Sequence, residues 1–194
     1  MPRHGHGNWT SAKLNWLVAV CVCLVVVAGV RSLAQKPPVS QTEVKAVWLL
    51  DFARYIDWPA DTFARPDSSL VVGIVGKDPF SPTLEKILAD KVAKGRRFSL
   101  KRLAVEDDLH GCHIVFCSSA DKKLNADVLQ KVRPQPVPTV SETDEFLEQR
   151  GIIHFVRKHD TVRFAVNLDA AEFARLKVSA NLMKIAVPVR GRHE

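Results

Sequence analysis

Residues 70–76 read LVVGIVG, an uninterrupted apolar run that lies between Asp67-Ser68-Ser69 and Lys77-Asp78-Pro79. Its short length and the turn-forming residues at both ends favour a strand over a helix. A strand without a polar face is expected where helices cover both sides of a parallel sheet. This stretch therefore predicts a layered α/β fold.

The segments on either side alternate between strand and helix patterns. Further strands are predicted at 97–103, 113–119 and 137–141. Helices are predicted at 42–57, from Pro79–Pro82 to about 92, and at 121–132, 143–149, 169–175 and 179–187. GIIHFV (151–156) and TVRFAVN (161–167) predict an antiparallel hairpin with a four-residue loop. We expect a single layered α/β domain, with a mostly parallel sheet, an antiparallel edge hairpin and helices on both faces.

The helix predicted at 42–57 carries a concentration of aromatic residues. Ser40 and Glu43 have the spacing of a capping box at its start. Trp48 and Phe52 fall on its apolar arc, which predicts that both rings face the core. Pro59 disfavours helical geometry at Trp58 and should end the helix there.

Tyr55 and Trp58 stand at the predicted end of this helix, and each carries a polar group on an aromatic ring. Such side chains often complete a protein contact surface. Together with Pro59 they form a candidate partner-binding site. Packing into the core is the alternative for this cluster.

The first 34 residues have the features of a secretory signal. Arg3, Lys13 and Arg31 accompany an almost wholly apolar stretch at 14–30, and Ser32-Leu33-Ala34 offers small residues for cleavage before Gln35. We therefore expect a signal peptide at 1–34, a polar lead-in at 35–41 and the folded domain at 42–190. An uncleaved membrane anchor is the alternative.

The charge balance changes if this segment is removed. The whole chain has 28 basic and 21 acidic residues and a net charge of +7; without the three basic residues of 1–34 the charge is +4. We therefore interpret Lys91, Lys94, Arg96 and Arg97 as a solvated face rather than a nucleic-acid site, and expect no nucleic-acid partner.

Cys112 and Cys117 are the cysteines that remain after cleavage. In a strand, five residues at about 3.3 Å each separate their Cα atoms by about 16 Å, whereas a disulfide needs about 7 Å or less. The odd offset also predicts that the side chains point to opposite faces. We expect two buried thiols without a disulfide between them, and pairing between chains stays open.

Motifs for chemistry are weak throughout. GIVGKDPFS lacks the spacing of a phosphate-binding loop, and no serine lies in a G-x-S-x-G elbow. His113 and Cys117 would lie about 13 Å apart along one strand, too far to share a zinc ion, so a buried histidine with a hydrogen-bond partner is the default. We expect no catalytic residues, no metal and no cofactor.

The segment VKAVWLLDFARYIDWP (44–59) resembles the opening signature of the YfiR-like family of exported bacterial proteins, through Ala46, Phe52, Tyr55, Ile56, Trp58 and Pro59. The resemblance continues in order to about residue 187, through LVVGIVGKDPF, CHIVFCSS, TVSETDEFLEQRGIIHF, VRFAVNLDAA and LKVSANLMKIA. The family usually has Gly-Gly where this chain has Arg150-Gly151. The substitution removes one conformationally permissive residue.

The resemblance implies a non-catalytic periplasmic repressor. Such a protein would bind the periplasmic sensor domain of a membrane diguanylate cyclase and lower cyclic di-GMP output. Family members are also linked to disulfide-dependent stability, for which Cys112 and Cys117 are few and badly spaced. The formation of a homodimer is left open by the sequence.

A different class of protein remains as the alternative, a small-molecule-binding module that serves a sensor kinase or an uptake system. Ligands of α/β sheets bind beyond the carboxyl ends of the strands. Lys77, Asp78, Ser118 and Ser119 would then line the site, with Gly76 and Ser141-Glu142 nearby. A hydrolytic enzyme is a third hypothesis without a motif to support it.

Overall fold

A computed structural model of the chain describes residues 39–133, 135–158 and 161–189. The predicted signal at 1–34 and the start of the lead-in lie outside this range. The helices in it are α1 (Gln41–Tyr55), α2 (Thr83–Leu88), α3 (Lys122–Val132), α4 (Leu168–Phe173) and α5 (Ala180–Met183). The strands are β1 (Ile56–Asp57), β2 (Leu70–Val75), β3 (Val92–Ala93), β4 (Arg96–Leu103), β5 (Ile114–Cys117), β6 (Thr139–Ser141), β7 (Ile153–Lys158), β8 (Thr161–Val166) and β9 (Lys177–Val178).

Seven of these strands form one sheet in the order β3-β4-β2-β5-β6-β7-β8. Neighbouring strands are parallel throughout the run β4-β2-β5-β6-β7. At the two edges, β8 runs antiparallel to β7 and β3 runs antiparallel to β4. The predicted fold class, a mostly parallel sheet with an antiparallel edge hairpin, is confirmed. The second antiparallel edge at β3 and the separate two-stranded sheet of β1 and β9 were not predicted.

Hydrophobic residues pack on both faces of the sheet in two separate clusters. Ile74 of β2 belongs to the larger cluster, which includes Phe52 of α1 and Leu84 of α2. Its neighbour Val75 belongs to the second cluster, with Val128 of α3. Successive residues of a strand point to opposite faces, so a strand covered on both sides needs apolar residues at every position. This is the physical basis of the unbroken run at 70–76.

The first helix begins as its cap predicts and ends earlier than expected. The Ser40 hydroxyl accepts a hydrogen bond from the Glu43 N–H at 3.1 Å. Trp48 and Phe52 pack on the core, where the Trp48 ring lies 4.7 Å from that of Phe164. The helix ends at Tyr55 rather than at residue 57, because Ile56 and Asp57 are extended and pair with β9.

Two other predicted boundaries were wrong. The hairpin ladder continues to the pair Lys158–Thr161, so the strands are separated by two residues rather than four. The last helix was predicted over 179–187, but α5 ends at Met183. Val187 instead donates its N–H to the Phe164 carbonyl at 2.8 Å, beside the edge strand β8.

The Arg150-Gly151 pair forms a tight turn before β7. Arg150 has a φ of 70°, in the left-handed region where glycine carries no steric penalty. Gly151 is needed for a different reason, because a Cβ atom there would lie 2.3 Å from the ring of Phe146. Arg150 is therefore strained in this turn, whereas Gly151 is required by packing.

Replacing Gly151 with alanine should lower the free energy of unfolding by about 2–3 kcal/mol, because the buried Phe146 ring must move to admit the methyl group. Urea denaturation followed by tryptophan fluorescence would measure the change. Arg150→Gly at the adjacent position is the matched control and should raise stability by up to about 1 kcal/mol, since it relieves the left-handed strain. Equal effects of the two substitutions would contradict this account.

Candidate functional site

The candidate contact surface at the end of α1 consists of one exposed ring and two half-buried residues. The Tyr55 side chain is 39% exposed. The Trp58 indole N–H donates a hydrogen bond to the His113 carbonyl at 3.2 Å, and Pro59 is partly buried beside it. The polar group of Trp58 is thus used within the protein, and Tyr55 presents the open aromatic surface.

Trp58 belongs to a layered cluster that sequence patterns did not suggest. Its ring meets Phe63 edge-on at 6.1 Å, and Phe63 stacks on the His113 imidazole at 4.4 Å with nearly parallel planes. The Arg96 guanidinium lies 3.7 Å from the centre of the Phe63 ring. Arg96 also donates to the backbone carbonyls of Arg65 and Ser68. The layers fix the loop that follows Pro59 against the start of β4.

His113 is the buried anchor of this cluster. Only 7% of the residue is exposed, and its Nδ1 accepts a hydrogen bond from the Val71 N–H at 3.0 Å. Burial, with the positive charges of Arg96 and Lys101, lowers the pKa of His113 to about 4. The imidazole is therefore neutral at physiological pH, and its Nδ1 lone pair is already engaged by the backbone.

The candidate ligand residues lie together at the carboxyl ends of β2 and β5. The chain passes from β2 to β4 on one side and then to β5 on the other, which makes this point a topological switch where α/β proteins often bind ligands. The Ser118 hydroxyl, however, donates to the Lys77 carbonyl. The Ser119 hydroxyl accepts from the Asp121 N–H at the start of α3.

Asp78 is also held within the protein. One of its carboxylate oxygens accepts from the Phe80 N–H at 2.7 Å, and the other accepts from Arg102 Nε at 2.8 Å. Arg102 pairs with Glu85 as well. Sequence reasoning did not show that the polar groups of these residues are hydrogen-bonded within the protein.

The next strands add a buried polar row. Cys117, Ser141 and His154 are register partners on adjacent parallel strands. The Ser141 hydroxyl donates to the Cys117 carbonyl at 3.0 Å. Burial raises the pKa of the Cys117 thiol to about 12, and a protonated thiol is not a nucleophile. The Ser141 bond ties the ends of β5 and β6 together, and the Cys117 thiol of this row is not activated.

The cysteines differ from expectation in one respect. Both are free and buried, but they pack in the same cluster rather than on opposite faces of a strand. The reason is that β5 begins only at Ile114, so Cys112 precedes the strand and folds back. Its sulfur lies 2.9 Å from the position that a Cβ atom of Gly73 would occupy, which explains why β2 has a glycine there.

A groove of about 670 Å³ opens at the opposite ends of the strands from the candidate ligand residues, near the amino end of β6. Its apolar lining includes Leu129, Val137 and Leu147, and its rim includes Arg133 and Phe173. The Arg133 guanidinium lies 5.5 Å from the Phe173 ring, which is 61% exposed. Sequence reasoning directed the ligand search to the carboxyl ends and missed this groove.

A family model described as YfiR/HmsC-like matches residues 42–187. The chain belongs to the YfiR/HmsC-like family. No curated protein matches the sequence. The match runs from α1 to the backbone contact of Val187 with β8, so it includes the main sheet and the layered aromatic cluster.

Within 39–133, 135–158 and 161–189, no helix is long and apolar enough to span a membrane. No group of three histidine, cysteine, aspartate or glutamate side chains in these ranges could hold a metal ion.

The depressed pKa of His113 predicts acid sensitivity. His113 is protonated near pH 6.5 in the unfolded chain but only near pH 4 in the folded protein. The free energy of unfolding should therefore fall as the pH is lowered from about 6.5 to about 4, by about 3 kcal/mol in total. Urea denaturation at several pH values measures this loss. His113→Asn should flatten the dependence, and the exposed His110→Asn should not; an unchanged slope in His113→Asn would refute the assignment.

Proposed function

We propose that this protein is a non-catalytic periplasmic regulator that binds the periplasmic sensor domain of a membrane diguanylate cyclase and represses cyclic di-GMP signalling. The observation that carries the proposal is the match to the YfiR/HmsC-like family over residues 42–187. The signal peptide predicted at 1–34 supports export. The cyclase and its repression go beyond family membership and are our inference.

The state of the polar groups at the strand ends supports action by contact. Asp78, Ser118 and Ser119 are hydrogen-bonded within the protein, and Cys117 holds its proton. A serine nucleophile is activated by donating its proton to an adjacent base, whereas Ser118 donates to a backbone carbonyl. Binding through an exposed surface requires no such activation.

The mechanism that follows is a shift between two states of the membrane sensor. A regulator that binds the inactive state more tightly lowers the population of the active state, by an amount set by the difference in affinity. A binding preference of about 5.5 kcal/mol for the inactive state would move the ratio of inactive to active sensor from about 1:99 to about 99:1. Smaller preferences give partial repression.

We propose Tyr55, Trp58 and Pro59 as part of the contact surface. Tyr55 supplies the exposed ring, and the Trp58 hydrogen bond to His113 holds the segment that follows it. Aromatic residues on a rigid support are frequent centres of binding energy. The rigid support here is the layered cluster beneath Pro59.

Deleting the gene should raise cellular cyclic di-GMP, and the wild-type gene should restore the low level. A Tyr55→Ala variant should restore it only partly, because truncating a central aromatic contact typically costs 2 kcal/mol or more of binding. Tyr55 is exposed, so the variant should keep its stability, which urea denaturation checks. Val39→Ala, at an exposed apolar residue beyond the opposite end of α1, is the matched control. Unchanged cyclic di-GMP in the deletion strain would contradict the proposed function.

The second candidate is a small-molecule-binding module that serves a sensor kinase or an uptake system. The groove near the amino end of β6 favours it, because about 670 Å³ lies within the range of about 300–1,000 Å³ usual for ligand sites. The exposed Phe173 at its rim has no role in the core.

For this candidate, one compound of a metabolite panel should raise the melting temperature in a saturable way, because a ligand at a hundred times its Kd adds about 2.7 kcal/mol. Phe173→Ala should reduce the response, since it removes the ring at the groove rim. Ile185→Ala, another exposed apolar residue, should respond like the wild type. A response equal in all three proteins would place the ligand elsewhere.

A further inference from the structure

The main sheet has an open edge along β4. The outer neighbour β3 pairs Val92 and Ala93 with Arg97 and Arg96, and it ends there. β4 continues through residues 98–103, which pair with β2 on the inner side. In the part of the chain that the structure describes, no strand pairs with 98–103 on the outer side.

The direction of the backbone groups on this edge follows from one hydrogen bond. The Leu103 carbonyl accepts from the Gly76 N–H, so the backbone of Leu103 points inward. Backbone direction alternates from residue to residue along a strand. The N–H and C=O groups of Phe98, Leu100 and Arg102 therefore point outward, and such a row is a template for an added strand.

The side chains of this stretch differ between its two faces. Phe98 and Leu100 pack against the larger core cluster, on the face of α1 and α2. Arg97, Ser99 and Lys101 alternate with them and are exposed on the other face. Residues opposite each other in paired strands share a face. A strand that fits here would alternate apolar residues with acidic ones.

Two of the cations on this edge are available to such a strand. Arg102 is paired with Asp78 and Glu85, and Lys94 with Asp57. Among the described residues, no carboxylate lies within ion-pair distance of Arg97 or Lys101. Their charges are therefore free to attract an acidic partner.

We propose that the outer edge of β4 binds an extended acidic segment of the partner protein by strand addition. Glutamate or aspartate would lie opposite Lys101 and Ser99, the latter diagonal to Arg97 and within reach of its long side chain, and β-branched residues would lie opposite Phe98 and Leu100. This inference rests on the proposed function for the source of the segment, the periplasmic domain of the membrane sensor. Main-chain hydrogen bonds would give affinity, and the alternating side chains would give specificity.

The same charges disfavour a second copy of the chain at this edge. Two β4 edges brought together would bring the Arg97 and Lys101 cations of the two copies close to one another, and like charges on paired strands destabilise the pairing. Cations on edge strands are a known means of preventing self-association. The charges on this edge thus disfavour pairing with a second β4 edge and favour pairing with an acidic strand.

The open edge is also continuous with the aromatic contact surface. Lys94, in the turn between β3 and β4, forms an ion pair with Asp57 at 2.5 Å, two residues after Tyr55. Arg96 at the start of β4 covers the Phe63 ring of the layered cluster. A single partner domain could therefore contact Tyr55 and the β4 edge together.

The test measures binding of fluorescent peptides to the purified protein by anisotropy. An eight-residue peptide that alternates valine and glutamate should bind saturably, and its lysine counterpart should bind at least about tenfold more weakly. Arg97→Glu with Lys101→Glu should weaken binding of the glutamate peptide by about tenfold or more, because two exposed attractions become repulsions. Lys122→Glu with Lys184→Glu changes the net charge equally on exposed residues away from the edge and should have little effect.

A second pair of variants tests the backbone. Leu100→Pro removes an outward N–H that no sheet partner uses, whereas Leu100→Ala removes the side chain and keeps that N–H. Binding should be weaker in Leu100→Pro than in Leu100→Ala, with both proteins folded by circular dichroism. Equal binding by these two variants, or by the two charge variants, would overturn the inference.

Cyclic di-GMP levels separate this inference from the proposed function. If the edge charge variant binds no peptide yet represses cyclic di-GMP fully, the edge is not the partner site and the proposed function stands. If deletion leaves cyclic di-GMP unchanged while peptide binding still depends on Arg97, Lys101 and the Leu100 N–H, the edge is a strand-addition site for another protein.

Discussion

The burial of β2 and β5 on both faces is the constraint on which the rest of the structure depends. Val72 and Ile74 belong to the cluster under α1 and α2, while Val75, Val115 and Cys117 belong to the cluster under α3. A central strand of this kind leaves no polar side to face water, so both helical layers must be present for the sheet to be stable. The close approach of Cys112 to Gly73 shows how tightly the second face is filled.

The strong local patterns made the main elements predictable. The apolar run at 70–76, the Ser40 cap and the break near Pro59 each depend on a few neighbouring residues. The two-residue strands β1, β3 and β9 were not predictable, because each exists only through a partner distant in sequence, as Ile56 does through Val178. The left-handed Arg150 was also beyond reach, since a bulky residue gives no local sign that tertiary contacts hold it there.

The candidate site was predictable in composition and not in its contacts. Tyr55, Trp58 and Pro59 stood out as an aromatic cluster, but Phe63 and Arg96 joined it without any periodic signal. The carboxyl ends of β2 and β5 were located correctly because strand order is regular in α/β folds. That Ser118 would donate to the Lys77 carbonyl and that Asp78 would accept from Arg102 depends on side-chain geometry, which cannot be read from one sequence.

The internal bonding of these polar groups decides where function can be located. Groups that are already paired at the strand ends would have to break those bonds to bind a ligand, at a cost of about 1 kcal/mol or more for each. The perimeter carries no such penalty, since Tyr55 is exposed and the backbone of Leu100 points outward from the sheet. The ion pair of Lys94 with Asp57 connects the turn before β4 to the segment that follows Tyr55. A domain that exposes an aromatic ring and unpaired backbone groups at the edge of its sheet is suited to bind another protein. A regulator that acts by contact requires this property.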